Sequence, residues 1–218
     1  MDAHLIATTT HGRYLTSPAP SGELTGLLVG FHGQAETAAI QMAHLEAIRG
    51  GRSWMLVSAQ ALNRYYTRRG DIVAAWMTSE DREATIADNL AYVGAVVAEV
   101  QSGLARPAAL LVYAGFSQGT AMAYRSAAFG RHRCHGLIIL SGDLSPDVVP
   151  HAASLPPILL GRGTEETWYT AEKARADIGH LRVAGVPVTE HVFAGGHERH
   201  PSFTDRAGRF LDGITARV

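Results

Sequence analysis

The segment Gly115-Phe116-Ser117-Gln118-Gly119 sets a serine between two glycines, after the apolar run Ala109-Leu110-Leu111-Val112-Tyr113-Ala114 and before Thr120-Ala121-Met122-Ala123-Tyr124. Strand, sharp turn and helix follow in that order, the context in which G-x-S-x-G holds a serine oxygen out at the top of a sheet. Serine is a weak nucleophile at neutral pH. It needs an imidazole to take its proton, and the imidazole needs a carboxylate to orient it. His197 stands late in the chain behind the flexible pair Gly195-Gly196, where a base on a loop can swing over the sheet. Three acids precede it. Glu166 lies three residues past Gly163, Glu165 stands beside it, and Asp143 follows the preceding strand. The spacing favours Glu166 and leaves the other two open. The negative charge that develops on an attacked carbonyl oxygen requires N–H donors. The amide of Gln118, at the start of the helix, is one candidate; the amide of Gln34, in the turn His32-Gly33-Gln34, is the other. The His32 side chain is expected to organise its loop.

A chain with this glycine and serine content contains a G-x-S-x-G by accident roughly one time in eight, so its placement between strand and helix carries the argument. Metal chemistry is not expected. His197-Glu198-Arg199-His200 spaces its histidines three apart, whereas a zinc-binding helix of the H-E-x-x-H kind needs four. The cluster His132, Cys134 and His135 has no second half and reads as a surface loop. Tyr65, Tyr66, Trp76, Met77, Trp168 and Tyr169 fall in segments that can border one mouth, where they would line an apolar substrate pocket.

Positioning these groups is the work of alternating strands and helices. Strands are predicted at Leu24 to Phe31, Trp54 to Ser58, Ala109 to Ala114, Gly136 to Leu140, Pro157 to Leu160 and Val188 to Phe193. Helices are predicted at Thr37 to Arg49, Arg82 to Val100, Gln118 to Phe129, Thr170 to Ala184 and Pro201 to Ala216. In the second, Ile86, Leu90, Val93, Val97 and Val100 form one apolar stripe. The pattern specifies an α/β fold, a mostly parallel central sheet with helices on both faces. An N-terminal hairpin through Gly12 is expected to add antiparallel edge strands. Ligands of such sheets collect at the carboxyl ends of the strands, which is where the candidate residues fall.

With 218 residues, 46% of them hydrophobic, the chain suits a single α/β domain over residues 1–218. A net charge of −1 shows no nucleic-acid footprint and no basic face for stable membrane insertion, so a small molecule is the expected partner. The protein is expected to be a monomer or homodimer. Cys134 is the only cysteine, and Met1-Asp2-Ala3-His4-Leu5 does not open like a secretory signal. A cytoplasmic location is the expectation.

Together, Phe31-His32-Gly33, Gly115-Phe116-Ser117-Gln118-Gly119, Leu140-Ser141-Gly142, Gly163-Thr164-Glu165-Glu166 and Gly195-Gly196-His197 resemble the phospholipase/carboxylesterase family of α/β-hydrolases, which includes acyl-protein thioesterases. The resemblance spans most of the chain. It implies a compact sheet with little or no cap, a Ser-Asp-His triad, and hydrolysis of carboxylic esters or thioesters without a cofactor. Carried over, it makes Ser117 the nucleophile, His197 the base, and the Gln34 and Gln118 amides the oxyanion donors. The family's aspartate position falls on Glu166. The same triad would serve a lysophospholipase or a peptidase, and a weak triad would leave a binding protein on a hydrolase scaffold.

Overall fold

Strand-forming runs and helical stripes assemble into one mixed sheet in the computed structural model, which describes residues 2–20 and 23–217. The strands are β1 (Arg13–Ser17), β2 (Gly26–Phe31), β3 (Trp54–Gln60), β4 (Asn63–Tyr66), β5 (Ile72–Ala75), β6 (Leu110–Phe116), β7 (Gly136–Leu140), β8 (Ile158–Gly163) and β9 (Val188–Phe193). Seven of them form the main sheet in the order β1-β3-β2-β6-β7-β8-β9, and β4 pairs with β5 apart from it. Every neighbouring pair of the main sheet is parallel except β1 with β3. All six predicted strands form, β7 and β9 with the predicted ends.

The predicted N-terminal hairpin does not form. Only β1 joins the edge of the sheet, and residues 2–12 carry no regular structure. Leu5 and Ile6 remain 70% and 90% exposed. With no helix or strand over them, the apolar burial that would hold a further strand is missing.

The predicted helices are α1 (Ala38–Arg49), α2 (Arg82–Ser102), α3 (Gln118–Phe129), α4 (Ala171–Val183) and α5 (Pro201–Thr215), with a 3-10 turn at Val149–Ser154. Thr37 and Thr170 cap α1 and α4 with their side chains, supplying acceptors for amides that lack a helical partner. Alternation along the strands divides the core. On β2, Leu27, Val29 and Phe31 join Val93, Val97 and Val100 of α2 with residues of α3 and α4. Leu28, between them, faces Leu45 of α1 and Phe203 and Leu211 of α5. No helix among the described residues is long and apolar enough to cross a membrane.

One core residue works against stability in acid. His44 of α1 is buried, and neither ring nitrogen has a hydrogen-bond partner among the described residues. Burial pushes its imidazole from 6.5 down to about 3; the Arg199 cation adds to this and the Glu36 carboxylate opposes it. Between those values the unfolded chain binds a proton that the folded chain refuses, so stability must fall as pH falls. The slope for one such proton approaches about 1.4 kcal/mol per pH unit. His44→Leu is expected to flatten that slope and raise the urea midpoint at pH values below the ordinary imidazole range. Denaturation curves across that range check it, and an unchanged slope would place the acid sensitivity elsewhere.

Candidate active site

Ser117 sits between the end of β6 and the start of α3 with φ 52° and ψ −122°. A positive φ in a residue bearing a Cβ is strained, and the surrounding contacts hold it there. The Ser117 amide donates to the Leu140 carbonyl of β7 at 3.0 Å. Its own carbonyl accepts from the Thr120 hydroxyl at 2.7 Å. A Cβ on Gly119 would strike the Phe31 carbonyl, and one on Gly115 would strike the backbone of Gly119 and Thr120. The two glycines are therefore needed for strand and helix to approach each other at this turn.

Strand register brings the other groups in. Phe31 of β2 pairs with Gly115 of β6, so His32-Gly33-Gln34 leaves the sheet beside Phe116-Ser117-Gln118. The amides of Gln34 and Gln118 donate to no other described residue. His32 is fully buried and organises this loop, as expected. The Ala61 amide donates to its Nε2 at 3.1 Å, which leaves the ring proton on Nδ1, 2.7 Å from the Gly33 carbonyl. Burial lowers its pKa, so the neutral ring is favoured. The Gln118 side chain ties β5 to the serine turn, accepting from the Trp76 amide at 2.7 Å and donating to the Met77 carbonyl at 3.0 Å.

On the far side, Gly163 of β8 pairs with Phe193 of β9. The pairing runs on past the strands, with the Thr164 amide donating to Phe193 and the Glu165 amide to Gly195, each at 2.8 Å. Glu166 thereby meets His197: its Oε2 lies 2.7 Å from the imidazole Nδ1. Its other oxygen accepts from the amides of Trp168 at 2.8 Å and Tyr169 at 3.3 Å. Burial pushes the Glu166 carboxyl up, but the Trp168 amide and the His197 ring outweigh it and hold the group below the usual range. The carboxylate is ionised at neutral pH and can only accept, so Nδ1 carries the ring proton. Of the three candidate acids, Glu166 alone reaches the ring among the described residues; Glu165 and Asp143 are exposed.

Ser117, His197, Gln34 and Gln118 border one cavity of about 780 Å³. Ser117 Oγ makes no hydrogen bond to the His197 ring among the described residues; such contacts commonly tighten only when substrate is bound. Of the candidate pocket residues, Met77 and Trp168 border the cavity while Trp76 and Tyr169 do not. Both of these are fully buried. The indole of Trp76 donates to the His32 carbonyl at 2.9 Å, and the Tyr169 hydroxyl donates to Asp177 at 3.0 Å. Tyr65 and Tyr66 line a separate recess beside β1. The expected apolar pocket is also more polar than foreseen, with Thr78, Ser79, Arg82, Asp143 and Ser145 on its wall.

Two polar assemblies were not anticipated from the sequence. Arg199 grips Glu36 with two bonds of 2.6 Å, and Glu36 also accepts from the Gly33 amide at 2.7 Å. The guanidinium lies 4.0 Å above the Phe116 ring, which is 5.0 Å from the His197 ring. The loop carrying Gln34 and the loop carrying His197 are thus clamped together. Arg125, fully buried, is likewise paired with Asp147 by two bonds of 2.7 Å and reaches the Met77 sulfur.

Sheet order, strained serine turn and late histidine loop define an α/β-hydrolase fold. The chain belongs to the phospholipase/carboxylesterase family, whose model matches residues 68–212, and its class is that of a serine carboxylesterase-type hydrolase. It is similar to the crystal structure of esterase PE8, at 22% identity over 94% of this chain and 100% of that one, with a TM-score of 0.75. The Zea mays acyl-protein thioesterase 2 is 22% identical over 94% and 100% of the two chains, with a TM-score of 0.69. A carboxylesterase from Mesorhizobium loti is 18% identical over 93% and 95%, with a TM-score of 0.75. No curated protein matches the sequence.

Proposed function

We propose that the protein hydrolyses short- to medium-chain carboxylic esters or thioesters of small molecules through an acyl-enzyme on Ser117. The observation that carries this reading is the 2.7 Å bond from His197 to the ionised Glu166, at a cavity that Ser117 also borders. With Nδ1 protonated, Nε2 of the neutral ring holds a lone pair. Ser117 Oγ bonds to the substrate carbonyl carbon while its proton passes to Nε2. The oxyanion takes up the Gln34 and Gln118 amides, and Glu166 stabilises the imidazolium. As the bond to the alcohol or thiol breaks, Nε2 returns the proton to the leaving group. Water then attacks the acyl-enzyme with the same base. The polar wall around Arg82 and Asp143 supports short acyl chains over long ones. Incubation with a fluorophosphonate is expected to add one covalent group, on the peptide containing Ser117. An unlabelled protein would overturn the reading.

Arg199 acts here as a positioning residue, since it touches the two loops and not the reacting atoms. Arg199→Gln is expected to lower kcat by about a hundredfold, the scale of a 1 Å misplacement of reacting groups, with KM little changed. Adding Glu36→Gln should cost little more, because the two side chains act as a pair. Steady-state kinetics of both single variants and the double variant check this; additive losses would mean that the two act separately.

A further inference from the structure

The amino-terminal ends of β6, β7 and β8 open on a second concavity of about 500 Å³, at the opposite end of the strands from Ser117. Leu110, Pro157 and Ile214 give it apolar walls, and Arg131, Arg133 and Arg217 surround it. Arg52, Arg106, Arg125, Arg162 and Arg199 have a carboxylate within 4.0 Å, the other described arginines do not, and neither Asp nor Glu lines this concavity. Among the described residues the three arginines of this concavity have none. A smaller recess of about 180 Å³ shares Ile214 and Arg217 with it and adds Arg206 and Arg209, again without an ion-pair partner. The chain as a whole carries 19 Lys and Arg against 20 Asp and Glu, so this is local segregation of charge, not general basicity.

The histidine cluster seen in the sequence completes the donor set. The Leu111 amide donates to His135 Nδ1 at 3.1 Å, which fixes the ring proton on Nε2 and makes that atom a donor. His132 is anchored by its Nε2 to the Gly94 carbonyl at 2.9 Å. Burial and then the Arg133 guanidinium lower the pKa of His135, opposed by the Leu111 backbone.

We propose that this cavity binds an oxyanion carrying two or more negative charges, a phosphate or pyrophosphate group borne by a small molecule, with Arg131, Arg133 and Arg217 as cationic donors and His135 Nε2–H as a neutral one. Guanidinium forks match phosphate oxygens in pairs, and the apolar wall suits the organic part of such a ligand. The recess is concave, with Pro156 and Pro157 on its wall, which favours a small anion over an extended polyanion.

Calorimetric titration of the whole chain with inorganic pyrophosphate, at ionic strength held constant with sodium chloride, tests the proposal. Saturable one-to-one binding is expected, weakened about tenfold in Arg133→Gln and again in Arg217→Gln, the scale of one charge-assisted hydrogen bond each. Thermal melts of the variants should match the parent protein. NMR titration should show the His135 midpoint moving upward when pyrophosphate is bound, with the His197 resonances unmoved. Heats that do not saturate, binding unchanged in the Arg133→Gln/Arg217→Gln double variant, or an unmoved His135 would each overturn it.

Discussion

Replacing Ser117 by alanine is expected to lower kcat/KM for a short p-nitrophenyl ester by about five to six orders of magnitude and to abolish fluorophosphonate labelling. The loss is this large because Ser117 supplies the attacking oxygen at the cavity that Gln34, Gln118 and His197 also border. What remains would come from the amide donors and substrate positioning alone. A companion variant separates chemistry from folding. Alanine at position 117 keeps the cost of φ 52°, whereas glycine relieves it. Ser117→Gly should therefore be equally inactive yet more stable, by about 1 to 2 kcal/mol. For a chain of this length that is a rise of a few degrees in Tm. Thermal melts and ester turnover on the same two preparations decide the matter. Turnover by Ser117→Ala close to that of the parent protein would remove the serine from the mechanism.

The places of Ser117 and His197 in the fold were readable because their signals are local: a strand, a pentapeptide and a helix for one, a glycine pair after the last strand for the other. The pocket residues were not, for a reason that the pairs Trp76-Met77 and Trp168-Tyr169 make plain. In each, neighbouring side chains point to opposite sides, one into the core and one toward the cavity. Residue type does not say which is which. Glu36 and Arg199 stand 163 residues apart, and no spacing rule links them; only the register of β2 with β6 and of β8 with β9 brings their loops face to face. The β4–β5 hairpin was missed because none of Asn63, Arg64, Tyr65 and Tyr66 is buried, so the alternation that marks a half-buried strand is absent.

The choice of acid rested on the same missing information, and Glu166→Gln is its decisive test. Its expected effect is a loss of about 10⁴ in kcat. The outcome depends on which atom of the new amide faces the imidazole. In the parent protein Oε1 accepts from the backbone amides of Trp168 and Tyr169, while Oε2 receives the proton of His197 Nδ1. A glutamine must keep its carbonyl oxygen toward those two amides, because its NH2 group cannot accept from them. The NH2 then takes the place of Oε2 and donates to Nδ1. This moves the ring proton to Nε2, the atom that has to accept the Ser117 proton. The fold is kept and the base is lost. Glu166→Asp retains the charge but is one methylene short of spanning both partners, so a smaller loss is expected. Asp143→Asn and Glu165→Gln, at side chains that do not touch the ring, should leave turnover within about threefold of the parent, the scatter usual for substitutions outside the reacting network. Nitrogen-15 shifts of the His197 ring report the tautomer directly. A Glu166→Gln protein with normal turnover, or a collapse confined to Asp143→Asn, would hand the orienting role to another carboxylate.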